Sequence, residues 1–250
     1  MGRVIVRGGW VYTGEEVLSP GTVVIEGDRI VAVEGASAAG SVVGPDHGMT
    51  ADLDAGPGSG IGPGDGVSGL RHQREDDLVI DASGRVVTPG LINAHTHIYS
   101  ALARGIALKD PPPESFPQIL ERLWWRLDRV LTLSDLDLSA QLHGVECLKA
   151  GVTTIFDHHS SPRAVGGSLS TLARALGSLG LRSCLCYEVS DRNGPATAAA
   201  GVEENAAFLA ATLDDRSGMV RGLFGLHASF TLGEETLRAC VEAAGDAGFH

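Results

Sequence analysis

Three patterns of apolar and polar positions divide the chain. Up to about residue 36, Val and Ile alternate with polar residues in "RVIVRGGWVYTG" and "GTVVIEGDRIVAVEG", and Gly marks the turns. The alternation predicts short strands of a small β-sandwich module, with a hairpin at "EGDRI" whose tip is Gly27-Asp28. From about 37 to 76 the periodicity stops. "AAGSVVGPDHGMTADLDAGPGSGIGPGDGVSG" is rich in Gly, Pro and Asp, and such a stretch buries too little apolar surface to offset its ordering entropy. A flexible surface insertion is expected there, with His47 and His72 solvated in or beside it.

The third pattern begins at "DDLVIDASGRVVTPGLINAHTH", where apolar strands and amphipathic helices alternate. "VVTPGLINAH", "TTIFDH", "RSCLCYEV" and "VRGLFGLHA" read as strands buried on both faces. "SDLDLSAQLHGVECLKAG" predicts a helix capped by Ser134, with Asp137 three residues on, ending at Gly151. "TLGEETLRACVEAAGDAG" repeats the pattern, with Thr231 before Glu234 and a stop at Gly248. "STLARALGSLG" and "GVEENAAFLAATL" complete the helices. Strand starts recur about 30 to 40 residues apart, the size of a βαβ unit. The fold class expected is therefore α/β, a parallel (β/α)8 TIM barrel behind an N-terminal β-sandwich module. A complete barrel takes about 250 residues by itself. The expected domains are 1–85 and 86–250, the second a barrel truncated after about four βα units, with a fifth strand beginning at Phe249-His250.

Charge and cysteine usage narrow the class. The formal net charge of -12 argues against a nucleic-acid partner, which needs a basic surface. Cys147, Cys184, Cys186 and Cys240 form no C-x-x-C and sit in apolar segments, as reduced thiols of a cytoplasmic protein would. The start lacks the apolar core of a signal peptide, and no apolar run approaches the roughly 20 residues of a membrane helix.

The chemistry concentrates at the strand ends. In "TPGLINAHTHIYS", His95 and His97 are two apart after an apolar strand, so period two turns both to one side. A bare H-x-H is more often coincidence. At the C-terminal end of a barrel strand it supplies two of the three or four ligands of a catalytic zinc. "FDHHS" places Asp157, His158 and His159 at the next strand end, where at most one of the two histidines faces the lumen. "GLHAS" places His227 at the fourth. His143 lies inside a helix and is expected to pack or be solvated. "ERLWWRLDRVL" reads as a helix packing on the barrel, with a wall of the substrate entrance as the alternative. There is no P-loop and no G-x-S-x-G, and the glycine-rich "GPGSGIGPGDG" lacks a strand-turn-helix context.

The segment "PGLINAHTH", after a small β module and before βα units, resembles the amidohydrolase superfamily, in its cytosine-deaminase and chlorohydrolase branch. "LWWRLDRVL", "DHHSSPRAVGGSLSTL", "DRNG" and "GLHASFT" are similar to aminohydrolases associated with selenium metabolism. The resemblance implies a metal-dependent hydrolase of C–N bonds other than peptide bonds, an aminohydrolase of an amino-substituted N-heterocycle. His95 and His97 would be metal ligands, and His227 and His158 would bind substrate. The cofactor implied is a divalent metal, zinc in the first place and iron in the second. By that resemblance the metal would supply an acidified water for attack on the ring carbon bearing the amine, and a carboxylate would pass the proton to departing ammonia. The partner is a small N-heterocyclic substrate, with no nucleic acid and no membrane; homo-oligomerisation is open. The family's acid/base Glu and strand-eight Asp are expected beyond residue 250, so no catalytic residue falls within the chain. A cyclic amidase or chlorohydrolase on the same site, and a non-catalytic fragment, are the rival readings.

Overall fold

The computed structural model describes residues 2–37 and 74–246. The chain divides into two units, Met1–Pro89 and Gly90–His250. In the first, β1 (Val4–Tyr12), β2 (Val17–Glu26) and β3 (Arg29–Ser37) pair antiparallel in sequence order. Their turn falls at the expected Gly27-Asp28, where Gly27 takes φ 61°, a conformation glycine adopts without strain. β4 (Leu78–Asp81) and β5 (Val86–Val87) join β1 in parallel. Val11, Leu18 and Val23 form the core of this sheet, as the alternation predicts. Arg3 Nε and Nη2 donate to the Asp77 carboxylate at 3.1 and 2.7 Å, and the guanidinium holds it well below the usual carboxylate range.

The first unit runs to Pro89. Val86 and Val87 still pair with Trp10 and Val11 of β1, and Pro89 has no N–H to carry the ladder further. His47, His72 and nearly all of the expected insertion lie outside the described residues, as do Gly248, Phe249 and His250.

The second unit is a parallel sheet in the order β6-β7-β8-β9, comprising β6 (Leu91–Thr96), β7 (Val152–His159), β8 (Arg182–Tyr187) and β9 (Val220–Gly222). After β6 the chain passes a 3-10 helix (Ile98–Ala103), α1 (Phe116–Ile119), a π turn (Leu120–Trp124), α2 (Trp125–Leu127) and a second 3-10 turn (Asp128–Val130). Four longer helices follow: α3 (Leu133–Lys149), α4 (Ser168–Ser178), α5 (Pro195–Leu213) and α6 (Glu234–Asp246). Ile155, Leu169, Leu172, Leu176 and Leu185 are fully buried between sheet and helices. Each such side chain stabilises the layer by about 1.5–3 kcal/mol.

Two helix starts differ from expectation. α3 is capped by Thr132, not Ser134: the Thr132 hydroxyl accepts from Asp135 N–H, and the Asp135 carboxylate accepts from Thr132 N–H. Thr231 does not cap α6. Asp191, from the loop after β8, does so instead, accepting from Gly233 N–H and Thr236 Oγ1, each at 2.6 Å. The fourth strand is also shorter than the apolar run. Beyond Gly222 the pairing continues only as Leu223 N–H to Leu185 O and a bridge between Val189 and Leu226. A Cβ on Gly225 would lie 2.5 Å from Tyr187 O, so this close approach of backbones requires glycine.

Asn205 of α5 fixes the same place from outside. Its Oδ1 accepts from Tyr187 N–H at 2.7 Å, and its Nδ2 donates to Tyr187 O at 2.8 Å and Gly225 O at 3.3 Å. The side chain is fully buried, and its amide joins the end of β8 to the segment leading to His227.

Candidate active site

His95 is the last residue but one of β6 and His97 directly follows the strand, with ring centroids 5.2 Å apart. His158 of β7 stacks 4.3 Å from the His95 ring and lies 6.1 Å from that of His97. Three imidazoles therefore meet at the C-terminal end of the sheet. The alternation along β7 separates His158 from its neighbours, and Asp157 and His159 are fully buried. Asp157 accepts from Ile98 N–H at 2.6 Å and so anchors the turn directly after His97. Burial pushes its carboxyl up to about 7.

The hydrogen bonds assign the histidine tautomers. His97 Nδ1 lies 2.8 Å from the His158 carbonyl, which can only accept, so Nδ1 carries the proton and Nε2 keeps its lone pair. His227 Nδ1 lies 2.8 Å from Thr231 Oγ1, whose own proton goes to Ala228 O at 2.7 Å. Nδ1 therefore donates there too, and His227 Nε2 is an acceptor. Burial lowers both pKa values, with Arg192 and His97 adding to that of His227, which falls to about 4. His158 is lowered as well, chiefly by burial. His143 is outside this group and meets only Thr96, at 3.4 Å.

His159 gives a pH dependence. Its Nε2 donates to Ser161 Oγ at 2.8 Å, and its Nδ1 is buried without a partner. Burial pulls its pKa down to about 3. The unfolded chain binds this proton near 6.5, so the stability it contributes is complete above 6.5 and falls as the pH drops towards 3. Within that window the loss from this group approaches about 1.4 kcal/mol per pH unit. The raised Asp157 carboxyl acts in the opposite sense over the same range, so the His159 slope is read as the difference between the protein and His159→Gln in urea titrations between pH 7 and 4; the same pH dependence in both would remove His159 as a source.

A cavity of about 340 Å3 opens beside the histidines, lined among others by His97, Tyr99, Trp124, Trp125, Glu188 and His227. The tryptophan segment does more than pack on the sheet. Trp124 meets the buried Tyr99 edge-on at 6.2 Å, yet both indoles also wall the cavity. Trp125 lies 6.3 Å from the His227 ring and carries the Arg192 guanidinium at 5.3 Å. Arg192 in turn pairs with Asp128, and both are buried. Burial pushes the Asp128 carboxyl up, while Arg192 and Ser160 pull it back.

Sequence reasoning missed Glu188. It follows β8 directly, at the same sheet end as His97 and His158, and that position was the available signal. Its side chain is 11% exposed, and Oε2 lies 3.8 Å from His97 Nδ1, too far for a hydrogen bond and facing a proton already given to the His158 carbonyl. Burial raises the carboxyl to about 8, with the Asp157 charge adding to it.

Among the described residues no group of three or more His, Cys, Asp or Glu side chains is arranged to hold a metal ion, so His95 and His97 stand as a pair. The four cysteines are free and buried, and no described helix is long and apolar enough to cross a membrane.

Residues 86–250 match the family model described as the amidohydrolase family. The chain belongs to the amidohydrolase family. Among its relatives in that family, a 5-methylthioadenosine/S-adenosylhomocysteine deaminase of Symbiobacterium thermophilum is 28% identical over 99% of this chain and 48% of its own length. One of the same name from Desulforudis audaxviator is 33% identical over 70% of this chain and 38% of its own. The amidohydrolase fold is shared with solved structures. A guanine deaminase from C. acetobutylicum superposes with a TM-score of 0.66 at 13% identity, over 99% of this chain and 51% of that one. A zinc-complexed atrazine chlorohydrolase from Arthrobacter aurescens TC1 gives 0.66 at 20% identity, over 98% and 51%. The chain thus spans about half, or less, of the length of these relatives.

Proposed function

We propose that the intact protein is a metal-dependent aminohydrolase that deaminates an amino-substituted N-heterocycle. The observation that carries this reading is the tautomer pattern: His97 and His227 both line the cavity, each with its Nδ1 proton engaged and its Nε2 lone pair free. The deaminase names of the relatives support it, as does the resemblance to the selenium-associated aminohydrolases. The four βα units are read as part of a (β/α)8 barrel, residues 1–85 as a β-sandwich module, and the protein as cytoplasmic.

The residues present fit a divalent metal as a partial donor set. His97 is held in the tautomer a ligand needs by the His158 carbonyl, and burial keeps it unprotonated. His95, at 5.2 Å, would be the second donor. When bound, zinc or iron supplies a water acidic enough to attack at neutral pH. His227 accepts an N–H of the heterocycle at Nε2 and orients the ring against Trp125. His158 backs the pair, stacking on His95 and holding His97 through its carbonyl.

The intact protein, loaded with zinc and supplied with adenosine, guanine or an aminotriazine, should release ammonia from at least one of them. Dipicolinate should stop the release and added zinc restore it. Chloride release from a chlorotriazine, or ring opening without ammonia, would replace this reading with one of its rivals.

A further inference from the structure

We propose that Glu188 determines specificity, its carboxyl reading an amidine-type edge (an amino group beside a ring nitrogen) on a planar substrate held against Trp124 and Trp125, and turning anions away. The place of this contact in a reaction rests on the deaminase reading; its chemistry does not.

The carboxyl is an unmet acceptor. It is nearly buried, lines the cavity and receives no hydrogen bond from the described residues. Its oxygens are open to the cavity, so a donor on a ligand there can reach them. His227 Nε2 is a second acceptor on the same cavity, and Trp125, whose Nε1–H is buried without a partner among the described residues, also lines it; the lining suits a ligand that brings N–H groups together with an acceptor. No Lys or Arg lines the cavity among the described residues. The nearest guanidinium, Arg192, lies over Trp125 and is committed to Asp128. An anionic ligand would meet Glu188 without a compensating cation and lose its hydration. The facing wall is aromatic and suits a flat ring. An amidine-type edge matches a carboxyl in either protonation state: the ionised form accepts from the amino group and from a protonated ring nitrogen, and the neutral form accepts from the amino group and donates to the unprotonated ring nitrogen. The cavity lies at the small end of ligand pockets and suits one or two fused rings.

Benzamidine, benzamide and benzoate separate charge and donor pattern at nearly constant shape. They are titrated calorimetrically into the intact protein stripped of metal, so that benzoate has no metal to ligate. Benzamidine should bind at least about ten-fold more tightly than benzamide, with benzoate weakest. E188Q should bring benzamidine to within about three-fold of benzamide, and E188D should keep the order at lower affinity. Benzamidine that fails to bind, that binds no better than benzoate, or that weakens in parallel with benzamide in both variants overturns the proposal. Failure of the zinc-loaded protein to release ammonia from any aminoheterocycle is a separate result: it would remove the deaminase reading and leave this binding order standing.

Discussion

His97→Ala in the intact protein should lower bound zinc and ammonia release together, the activity by at least about 10^3-fold. The argument is local. The His158 carbonyl takes the Nδ1 proton, Nε2 keeps the lone pair, and Asp157 pins the turn immediately after the ring. Alanine removes the donor but leaves the Asp157–Ile98 bond, so the fold around the vacancy should persist. Zinc content by elemental analysis and circular dichroism check the two halves of the claim. His143→Ala is the control, because His143 lies on α3 outside the histidine group and should leave zinc in place. A His97→Ala protein with full zinc and full activity would end the metal role assigned to this pair.

The second large effect is on stability. Asp128→Ala should cost about 3–5 kcal/mol, because it strips a buried guanidinium of its counter-ion. Asp128 is 1% exposed, and Ser160 donates to it at 3.2 Å beside the Arg192 pair. The pair ties the tryptophan segment to the loop after β8, helped by Arg129 Nε on Asn193 Oδ1 at 2.9 Å. The midpoint of thermal unfolding should fall by on the order of 10 °C. Asp128→Ala with Arg192→Met should recover much of the loss, since an apolar replacement leaves no charge stranded. Equal losses in the single and double variants would mean that packing, not the unpaired charge, sets the cost.

What could be read from the residue order was whatever one strand or helix decides alone. Period two puts His95 beside His97 and separates His158 from His159, and the βα rhythm puts His227 at the same sheet end. What could not be read depends on distant partners. Asp128 and Arg192 are 64 residues apart, and nothing near either announces the other. Asp191 caps α6 from 42 residues away, whereas the local pattern points to Thr231. At α3 the competition was between two good caps, and Thr132 won because Asp135 returns its hydrogen bond. Glu188 was hidden by its type: a single Glu after a strand reads as solvated until it is found lining one cavity with Trp124 and Trp125.

The Asn205 amide has a consequence for how such a site can change. It grips the backbone just before Glu188 and two residues before His227, so the gap between these two groups is set like the jaws of a caliper by a residue that touches no ligand. A shift of α5 by a few tenths of an ångström would widen or narrow that gap without altering any group in the cavity. Changes in preference for a broader or narrower ring can therefore accumulate on the helix side of the sheet, out of contact with the molecules being distinguished.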